Sequence, residues 1–311
     1  MTALEPVRLS SWPTPIHPAP RLAAELGLGA DDLWIKRDDL IGLGGGGNKV
    51  RKLEYSCAQA LAAGATTVIT TGAAQSNHAR LTAAAAARLG LGCELDLHGA
   101  APDLPLGNLI LDVLAGAHIR WADEPDAAAA VAAAADEVRA AGGVPFVIPF
   151  GGSSAVTAAG YLDCARELVH DLPDLATVVV AVGSGGTMAG LVAGLGADRV
   201  IGVHTGAVED PVGTVAGLLD GMSSAGEPRS NLRILLDQVG DGYQSITTAT
   251  RSAIGLVART EGLFLDPTYT GRAMAGLAAL CADGTITAGR RTVFLHTGGL
   301  PGLLSRPELV G

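Results

Sequence analysis

The sequence has few charged residues, few cysteines and no long apolar run, and each shortage excludes a class of protein. Charged residues make up 17% of the 311 residues against 48% hydrophobic ones, too apolar a composition for a disordered chain. No stretch approaches the roughly 20 consecutive apolar residues of a membrane span, so we expect no membrane contact. Neither a CxxC pair nor a histidine at ligand spacing accompanies the cysteines, so we predict no disulfide and no metal site; they are Cys57, Cys93, Cys164 and Cys281.

Basic residues are also scarce, because 21 Lys and Arg stand against 31 Asp and Glu, a net charge of −10. A protein that binds phosphate backbones normally carries a basic face, so we expect no nucleic-acid partner. The first residues, "MTALEPVRLSSWPTP", lack a basic region followed by an apolar run. This pattern predicts a cytoplasmic protein without a signal peptide.

Short β-branched runs alternate with Ala- and Leu-rich runs along the whole chain. Examples are "TTVIT" before "QSNHARLTAAAAARLG", "CELDLHG" before "GNLILDVLAG", and "TVVVAVG" before "TMAGLVAGLG". Such alternation predicts an α/β fold of mostly parallel sheets with helices on both faces. The alanine run "AAAAVAAAA" predicts a surface helix.

Two glycine-rich stretches, "IGLGGGGNKVRK" and "GSGGTMAG", suggest phosphate binding but match neither common nucleotide motif. In the first, Asn48 separates the last glycine from Lys49 and no Ser or Thr follows, which excludes a P-loop. In the second, Met188 stands where the third glycine of a dinucleotide fingerprint belongs.

The surroundings of these stretches point to a different cofactor chemistry. Asn48 can cap a helix that places Lys49 and Lys52 one turn apart near its positive end, where the field lowers the pKa of Lys49. Residues 183–187 leave a predicted strand and enter a helix, so their N–H groups can hold a phosphate. A Schiff-base lysine beside a phosphate cup is what a pyridoxal-phosphate enzyme needs. A plain tight turn and a solvated lysine are the alternatives.

At the level of whole motifs, the chain resembles the D-cysteine desulfhydrase and 1-aminocyclopropane-1-carboxylate deaminase family of pyridoxal-phosphate enzymes. The resemblance covers about residues 8 to 304 and rests on "WIKRDDLIGLGGGGNKVRKLEY", "TTGAAQSNHARLTAAAAARLGL", "VVVAVGSGGTMAGL", "ARTEGLFLDPTYTGRAMAGL" and "FLHTGGLPGLL". It implies a two-domain, tryptophan-synthase-β-like fold (fold type II) and a homodimer. The larger domain would comprise residues 1–53 and 158–311, with residues 54–157 inserted as a smaller domain.

The resemblance implies a role for each matching residue. Lys49 would carry the cofactor and move the Cα proton of a small amino-acid substrate, and Ser76 would lie near the substrate carboxylate. Asn77 would lie beside the pyridoxal 3′-oxygen, with His78 as a neighbour of undefined role and Tyr243 and Tyr269 bordering the substrate. The cofactor phosphate would be held by Lys52, Gly183, Ser184, Gly185, Gly186 and Thr187. Each of these residues also has an ordinary alternative. Asn77 could cap a helix, His78 could be a surface histidine, and the tyrosines could be core or surface residues.

Thr270 separates the two branches of the family. The deaminase has a glutamate there, facing the pyridine nitrogen, whereas desulfhydrases and sulfo-lyases have a threonine in "YTG". A carboxylate keeps that nitrogen protonated and the ring a strong electron sink, while a hydroxyl does not. The residue after Asn77 supports the same branch, because it is His78 in this chain and glutamine in the deaminase. The sequence therefore predicts a β-eliminating lyase, with Thr270 in the cofactor site; a helix-capping role for Thr270 is the alternative.

The substrate is less well defined by the sequence than the cofactor. The segment from about residue 206 to 250 departs from the family pattern, including "QSITTAT" after Tyr243. The lyase could act on D-cysteine, on L-cysteate, on 1-aminocyclopropane-1-carboxylate or on another amino acid with a β-leaving group. A cofactor-binding pseudoenzyme and a kinase that uses the glycine loops for ATP are the alternatives from other classes.

Overall fold

A computed structural model of the chain describes residues 5–122, 127–222 and 231–309. Its strands are β1 (Ile16–Pro18), β2 (Leu33–Arg37), β3 (Thr67–Ala73), β4 (Gly92–His98), β5 (His118–Ala122), β6 (Pro145–Val147), β7 (Thr177–Val182), β8 (Val200–His204), β9 (Arg233–Leu235) and β10 (Thr292–His296). Its helices are α1 (Pro20–Glu25), α2 (Lys49–Ala62), α3 (Asn77–Leu89), α4 (Asn108–Leu114), α5 (Ala127–Ala140), α6 (Ala159–Asp171), α7 (Gly186–Leu195), α8 (Pro211–Met222), α9 (Thr248–Glu261), α10 (Thr270–Ala282) and α11 (Leu300–Leu304).

The strands form two open sheets. The larger sheet has the order β1-β2-β10-β7-β8-β9, and the smaller has the order β5-β4-β3-β6. All neighbouring strands are parallel except β1, which pairs antiparallel with β2. The predicted α/β class with mostly parallel sheets is thus confirmed.

Strand β7 shows why the central strands are apolar throughout. Val178, Val180 and Val182 pack against α6 and α7, while Val179 and Ala181 pack on the opposite face in a cluster that includes residues of α9 and α10. A strand covered by helices on both faces has no solvent side, so alternation of polar and apolar residues disappears. Burying each valine contributes roughly 1.5–3 kcal/mol.

The smaller sheet is covered in the same way, with the alanine-rich helix on its outer face. Val68 of β3 packs in a cluster with residues of α2 and α3, and Ile69 packs against Ala134 and Ala135 of α5. Most of α5 faces solvent, as predicted for a surface helix. Among the helices of the described ranges, none is long and apolar enough to cross a lipid bilayer.

The division into two domains stays a prediction. Strands of the smaller sheet lie between residues 67 and 147, and those of the larger sheet lie on either side, which supports an inserted domain. A boundary after residue 53 would fall inside α2, which would then belong to both parts. Residues 223–230 of the divergent segment and the predicted start of the alanine helix at Pro125 lie outside the described residues.

Candidate active site

The glycine loop before α2 has a backbone conformation that favours glycine at four consecutive positions. Residues 44–47 all have positive φ angles, between 53° and 128°. At Gly46, with φ 80°, a Cβ atom would lie 2.1 Å from the carbonyl oxygen of Asp39, so only glycine fits. The buried guanidinium of Arg80 donates to the carbonyl oxygens of Gly44 and Gly46. The loop therefore fixes the point at which α2 begins.

Lys49 is the first residue of α2, and it lines a cleft with about 600 Å³ of empty space. Burial lowers the pKa of Lys49 to about 8, opposed by the nearby carboxylate of Asp266. The lowered pKa was predicted, but its main cause is desolvation rather than the helix field. Part of the Lys49 population is therefore a neutral amine near neutral pH.

Asn48 and Lys52 flank Lys49 and connect it to the wall of the cleft. Asn48 does not cap α2 with its side chain, contrary to prediction; its Nδ2 donates to Thr187 Oγ1 at 3.0 Å. Lys52 is fully buried, and its Nζ donates to the carbonyl of Gly151 and to Ser153 Oγ at 2.8 Å. Lys52 thus lies behind the predicted phosphate cup rather than in the cleft wall.

The predicted cup connects β7 to α7. Gly183, Ser184, Gly185 and Thr187 line the cleft, and Gly186 is the first residue of α7. Gly186 and Thr187, the first two residues of α7, present N–H groups that have no acceptor within the helix. These N–H groups, together with the helix dipole, make the cup a suitable site for an anion.

A second loop, residues 150–153, closes against this cup. A Cβ atom at Gly151 would lie 2.1 Å from Ser184 Oγ, and one at Gly186 would lie 2.5 Å from Ser153 Oγ. Ser153 Oγ also lies 2.8 Å from Ser184 Oγ and accepts a hydrogen bond from the N–H of Gly186 at 3.3 Å. The two loops form a cradle that has room only for backbone at these positions.

Ser76 and Asn77 line the cleft at the start of α3. Ser76 Oγ accepts a hydrogen bond from the N–H of Ala79 at 3.1 Å and is the helix cap. Asn77 is therefore not the cap. Its Oδ1 accepts from Arg80 Nη2 at 3.3 Å and from Asn108 Nδ2 at 3.2 Å, which orients the amide.

His78 is buried in the cleft wall, so the alternative of a surface histidine is wrong. Thr70 Oγ1 donates to the carbonyl of Ile148 at 2.9 Å, so it must accept from His78 Nε2, also at 2.9 Å. His78 Nδ1 is then an acceptor, and it has no hydrogen-bond partner among the described residues. Burial and the charges of Lys52 and Lys49 hold the pKa of His78 well below its usual range, so the ring is neutral.

Tyr269 lines the cleft, and Tyr243 lines the chamber just outside it. Their hydroxyl oxygens lie 2.5 Å apart, and their rings meet edge to face. Burial raises the pKa of both phenols, so both are neutral near physiological pH. Both tyrosines therefore line connected spaces, and their place beside the substrate stays a prediction.

Thr270 is fully buried, and its hydroxyl is bonded to Asp266 rather than presented to the cleft. Its Oγ1 donates to Asp266 Oδ1 at 2.7 Å and accepts from the N–H of Asp266 at 2.8 Å. Asp266 itself lines the cleft, and its carboxylate also accepts from the N–H groups of Thr268, Tyr269 and Thr270. Thr270 was expected to line the cleft. Asp266 lines it instead, and Thr270 holds the Asp266 carboxylate by a hydrogen bond.

Sequence reasoning missed seven residues of the cleft wall, which are Asn48, Phe150, Gly151, Ala181, Asp266, Thr297 and Gly298. Asp266 and Thr297 could have been found, because each lies within a quoted motif. Thr297 directly follows β10, and polar residues at the carboxyl ends of parallel strands commonly form binding sites. Nothing in the sequence marks Phe150, which reaches the cleft only through the packing of its loop.

These features define a class of enzyme. A family model described as "Pyridoxal-phosphate dependent enzyme" matches residues 7–298. The chain belongs to this family, uses pyridoxal 5′-phosphate and is an enzyme, which excludes the kinase and pseudoenzyme alternatives. The residues fit the cofactor, because the cradle of residues 150–153 and 183–187 suits a phosphate and Lys49 faces the same cleft.

Individual relatives bear the two names that the sequence motifs suggested. A D-cysteine desulfhydrase of Klebsiella pneumoniae subsp. pneumoniae is 39% identical over 321 residues, covering 98% of this chain and 97% of that protein. A Pyrococcus abyssi protein, provisionally named 1-aminocyclopropane-1-carboxylate deaminase, is 40% identical, covering 97% and 94%. A crystal structure described as the ACC deaminase homologue has a TM-score of 0.89 and 36% identity, covering 98% and 95%. The predicted family, fold type and cofactor are confirmed.

Proposed function

We propose that the protein catalyses α,β-elimination from a small amino acid with a β-leaving group, as a D-cysteine desulfhydrase does. With cysteine, one water is consumed and pyruvate, ammonia and hydrogen sulfide are released. The observation that carries the proposal is the position of Lys49. This lysine has a lowered pKa and lines the same cleft as the glycine cradle.

Pyridoxal phosphate, when bound, supplies an electron sink that makes the proton on the substrate Cα removable. The phosphate would be held by the N–H groups of the cup, with Lys52 Nζ behind it. Lys49 Nζ would hold the cofactor and afterwards accept the Cα proton. A lysine with a pKa of about 8 is suited to both tasks near neutral pH.

The start of α3 would bind the substrate carboxylate. Ser76 Oγ accepts from the helix backbone, which leaves its O–H free to donate. The positive end of the helix dipole lies at the same place, so a carboxylate is favoured there. Tyr269, held neutral by burial, could then donate a proton to the departing sulfur.

The hydrogen bonds of Asp266 support elimination rather than opening of a cyclopropane ring. Four donors from its own turn occupy this carboxylate, so it is committed to the start of α10. Where the deaminase has a glutamate, this chain has Thr270. A weaker electron sink suits the loss of a good leaving group better than the cleavage of an unactivated carbon–carbon bond.

Deamination of 1-aminocyclopropane-1-carboxylate is the second candidate, because two of the similar proteins bear that name. The two activities give different keto acids, since the cyclopropane substrate has four carbons and yields 2-oxobutanoate. The holoenzyme should be incubated with D- and L-cysteine, β-chloroalanine and 1-aminocyclopropane-1-carboxylate, and the keto acids separated by chromatography.

We expect pyruvate from at least one β-substituted alanine and no turnover by Lys49→Ala. That variant should remain folded by circular dichroism, because Lys49 lies on a cleft wall and not in a core cluster. Release of 2-oxobutanoate alone would favour the deaminase, and equal pyruvate release by Lys49→Ala would contradict the proposal.

A further inference from the structure

The cleft continues past Tyr269 into a small outer chamber. The two spaces share Asn77, Asp266 and Tyr269 as walls. The remaining wall of the outer chamber includes Gln75, Tyr243, Gln244, Thr268, Gly302 and Arg306. A substrate whose α-carbon lies beside Lys49 can therefore extend its side chain toward this chamber.

Arg306 is the only cationic side chain among the described residues that line the outer chamber. Its Nη2 donates to Gln244 Oε1 at 2.6 Å, and its Nη1 lies 3.4 Å from Glu308 Oε1. The Glu308 side chain is 50% exposed, so this long ion pair is weak and easily exchanged. A guanidinium has five N–H donors, and these two contacts leave three for a ligand.

A second arginine supports the position of Arg306 indirectly, through the segment that carries Gln244. Arg272 Nη2 donates to the carbonyl oxygens of Gly242, Tyr243 and Ser245 at 2.8, 3.1 and 2.6 Å. These bonds hold the segment that carries Gln244, and Gln244 in turn orients Arg306. The guanidinium is therefore oriented before a ligand arrives, which lowers the entropic cost of binding.

The other charge on this wall does not compete for Arg306. The carboxylate of Asp266 accepts four hydrogen bonds from its own turn, including the N–H groups of Thr268 and Tyr269. The wall thus carries one charge of each sign, but the carboxylate is occupied by its own turn, whereas the Arg306 guanidinium keeps N–H groups for a ligand. These remaining N–H donors of a guanidinium favour an anionic ligand.

We propose that Arg306 is a specificity-determining residue that binds an anionic group at the far end of the substrate's β-substituent. The proposal rests on the elimination activity proposed above and names its substrate class: alanines with a β-sulfonate, a β-phosphate or a similar anionic leaving group. For cysteate, the Cβ–S bond breaks, sulfite takes its electron pair, and hydrolysis of the remaining enamine gives pyruvate and ammonia. Negative charge grows on the leaving group as the bond breaks, so Arg306 stabilises the transition state more than the ground state.

The test compares anionic with neutral substrates in variants of Arg306. Cysteate and O-phosphoserine are compared with cysteine and β-chloroalanine, as both enantiomers, in the wild-type holoenzyme, Arg306→Gln and Arg306→Lys. We expect kcat/KM for the anionic substrates to fall about 30-fold or more in Arg306→Gln, because a desolvated charge pair is lost. For the neutral substrates we expect a fall at least tenfold smaller than for the anionic ones, and Arg306→Lys should be intermediate.

Arg251→Gln is the matched control. Arg251 Nη1 donates to the carbonyl oxygens of Glu308 and Leu309, both at 3.0 Å, and so anchors the same C-terminal segment from outside the chamber. A purely structural role for Arg306 predicts that both variants slow all substrates equally. That result, or the same kcat/KM for anionic substrates in wild type and Arg306→Gln, overturns the proposal.

A binding measurement separates this inference from the proposed function. The compound 3-sulfopropanoate has the two anionic groups of cysteate but no amine, so it cannot react, and butanoate lacks the sulfonate. Calorimetry should show about tenfold weaker binding of 3-sulfopropanoate to Arg306→Gln, with butanoate unchanged. If no amino acid gives keto acid, the proposed function fails, and calorimetry alone decides: binding that depends on Arg306 supports the inference, and binding independent of it overturns it.

Discussion

At the scale of single residues, the three lysines of the chain show how surroundings create different chemistry from one side chain. Lys36 Nζ is paired with Glu167 at 2.8 Å, and Lys52 Nζ donates to Gly151 and Ser153. Lys49 alone of the three lines the cleft. With a pKa of about 8, about a quarter of Lys49 is neutral at pH 7.5, against roughly 0.1% of an ordinary lysine.

Competitive acetylation of the protein without cofactor should reveal this difference. Acetic anhydride reacts with the neutral amine, so the rate at Lys49 should rise with pH and reach half its maximum near pH 8. Peptides from the unfolded protein should reach half-maximum at about 10.4. Mass spectrometry of the digest gives the rate for each lysine, and a midpoint near 10 for folded Lys49 would contradict the assigned environment.

At the scale of elements, the glycine loop and α3 position the lysine together. Arg80 extends from α3 to the loop carbonyls of Gly44 and Gly46, and its Nε donates to Asn108 Oδ1 at 2.8 Å. The loop, α3 and α4 are thereby connected through one buried guanidinium. Displacement of any of them would move the start of α2 and Lys49 with it.

Two alanine substitutions in the same loop should have opposite consequences. Gly46→Ala places a side chain against the Asp39 carbonyl at a φ of 80°, and we expect it to lower the free energy of unfolding by about 3 kcal/mol. Gly42 has a φ of −72°, and a Cβ atom there would meet nothing within 4 Å, so Gly42→Ala should be neutral or stabilising by about 0.5 kcal/mol. Urea unfolding of both variants measures the difference, and equal stability would show that the loop is not held in this conformation.

At the scale of the whole molecule, both sheets direct the carboxyl ends of their strands toward one cleft. Strand β3 of the smaller sheet leads to Ser76, while β7 and β10 of the larger sheet lead to Gly183 and Thr297. Residues from distant parts of the chain meet there, as binding residues do at the carboxyl ends of parallel strands. The homodimer and the domain boundaries stay predictions.

Local sequence patterns predicted the features that depend on residues close together in the chain. They failed for side-chain contacts between residues that only the packing of the fold brings together. The strand β7, the cup after it and the helix start at Lys49 follow from β-branched runs, glycines and spacing within a few residues. The bond from Asn48 to Thr187 joins residues 139 apart, so the local pattern suggested a helix cap instead. The pairing of Thr270 with Asp266 was missed for another reason, because the family resemblance described residue identities and not hydrogen bonds.

The central claim is that Lys49 is the residue to which the cofactor is attached, and reductive trapping tests it most directly. The purified holoenzyme is treated with borohydride, digested and analysed by mass spectrometry, and only three lysines have to be distinguished. We predict that the cofactor mass is found on the peptide containing Lys49 and that Lys49→Ala retains none after reduction. Attachment to Lys36 or Lys52 in the wild type would contradict the account.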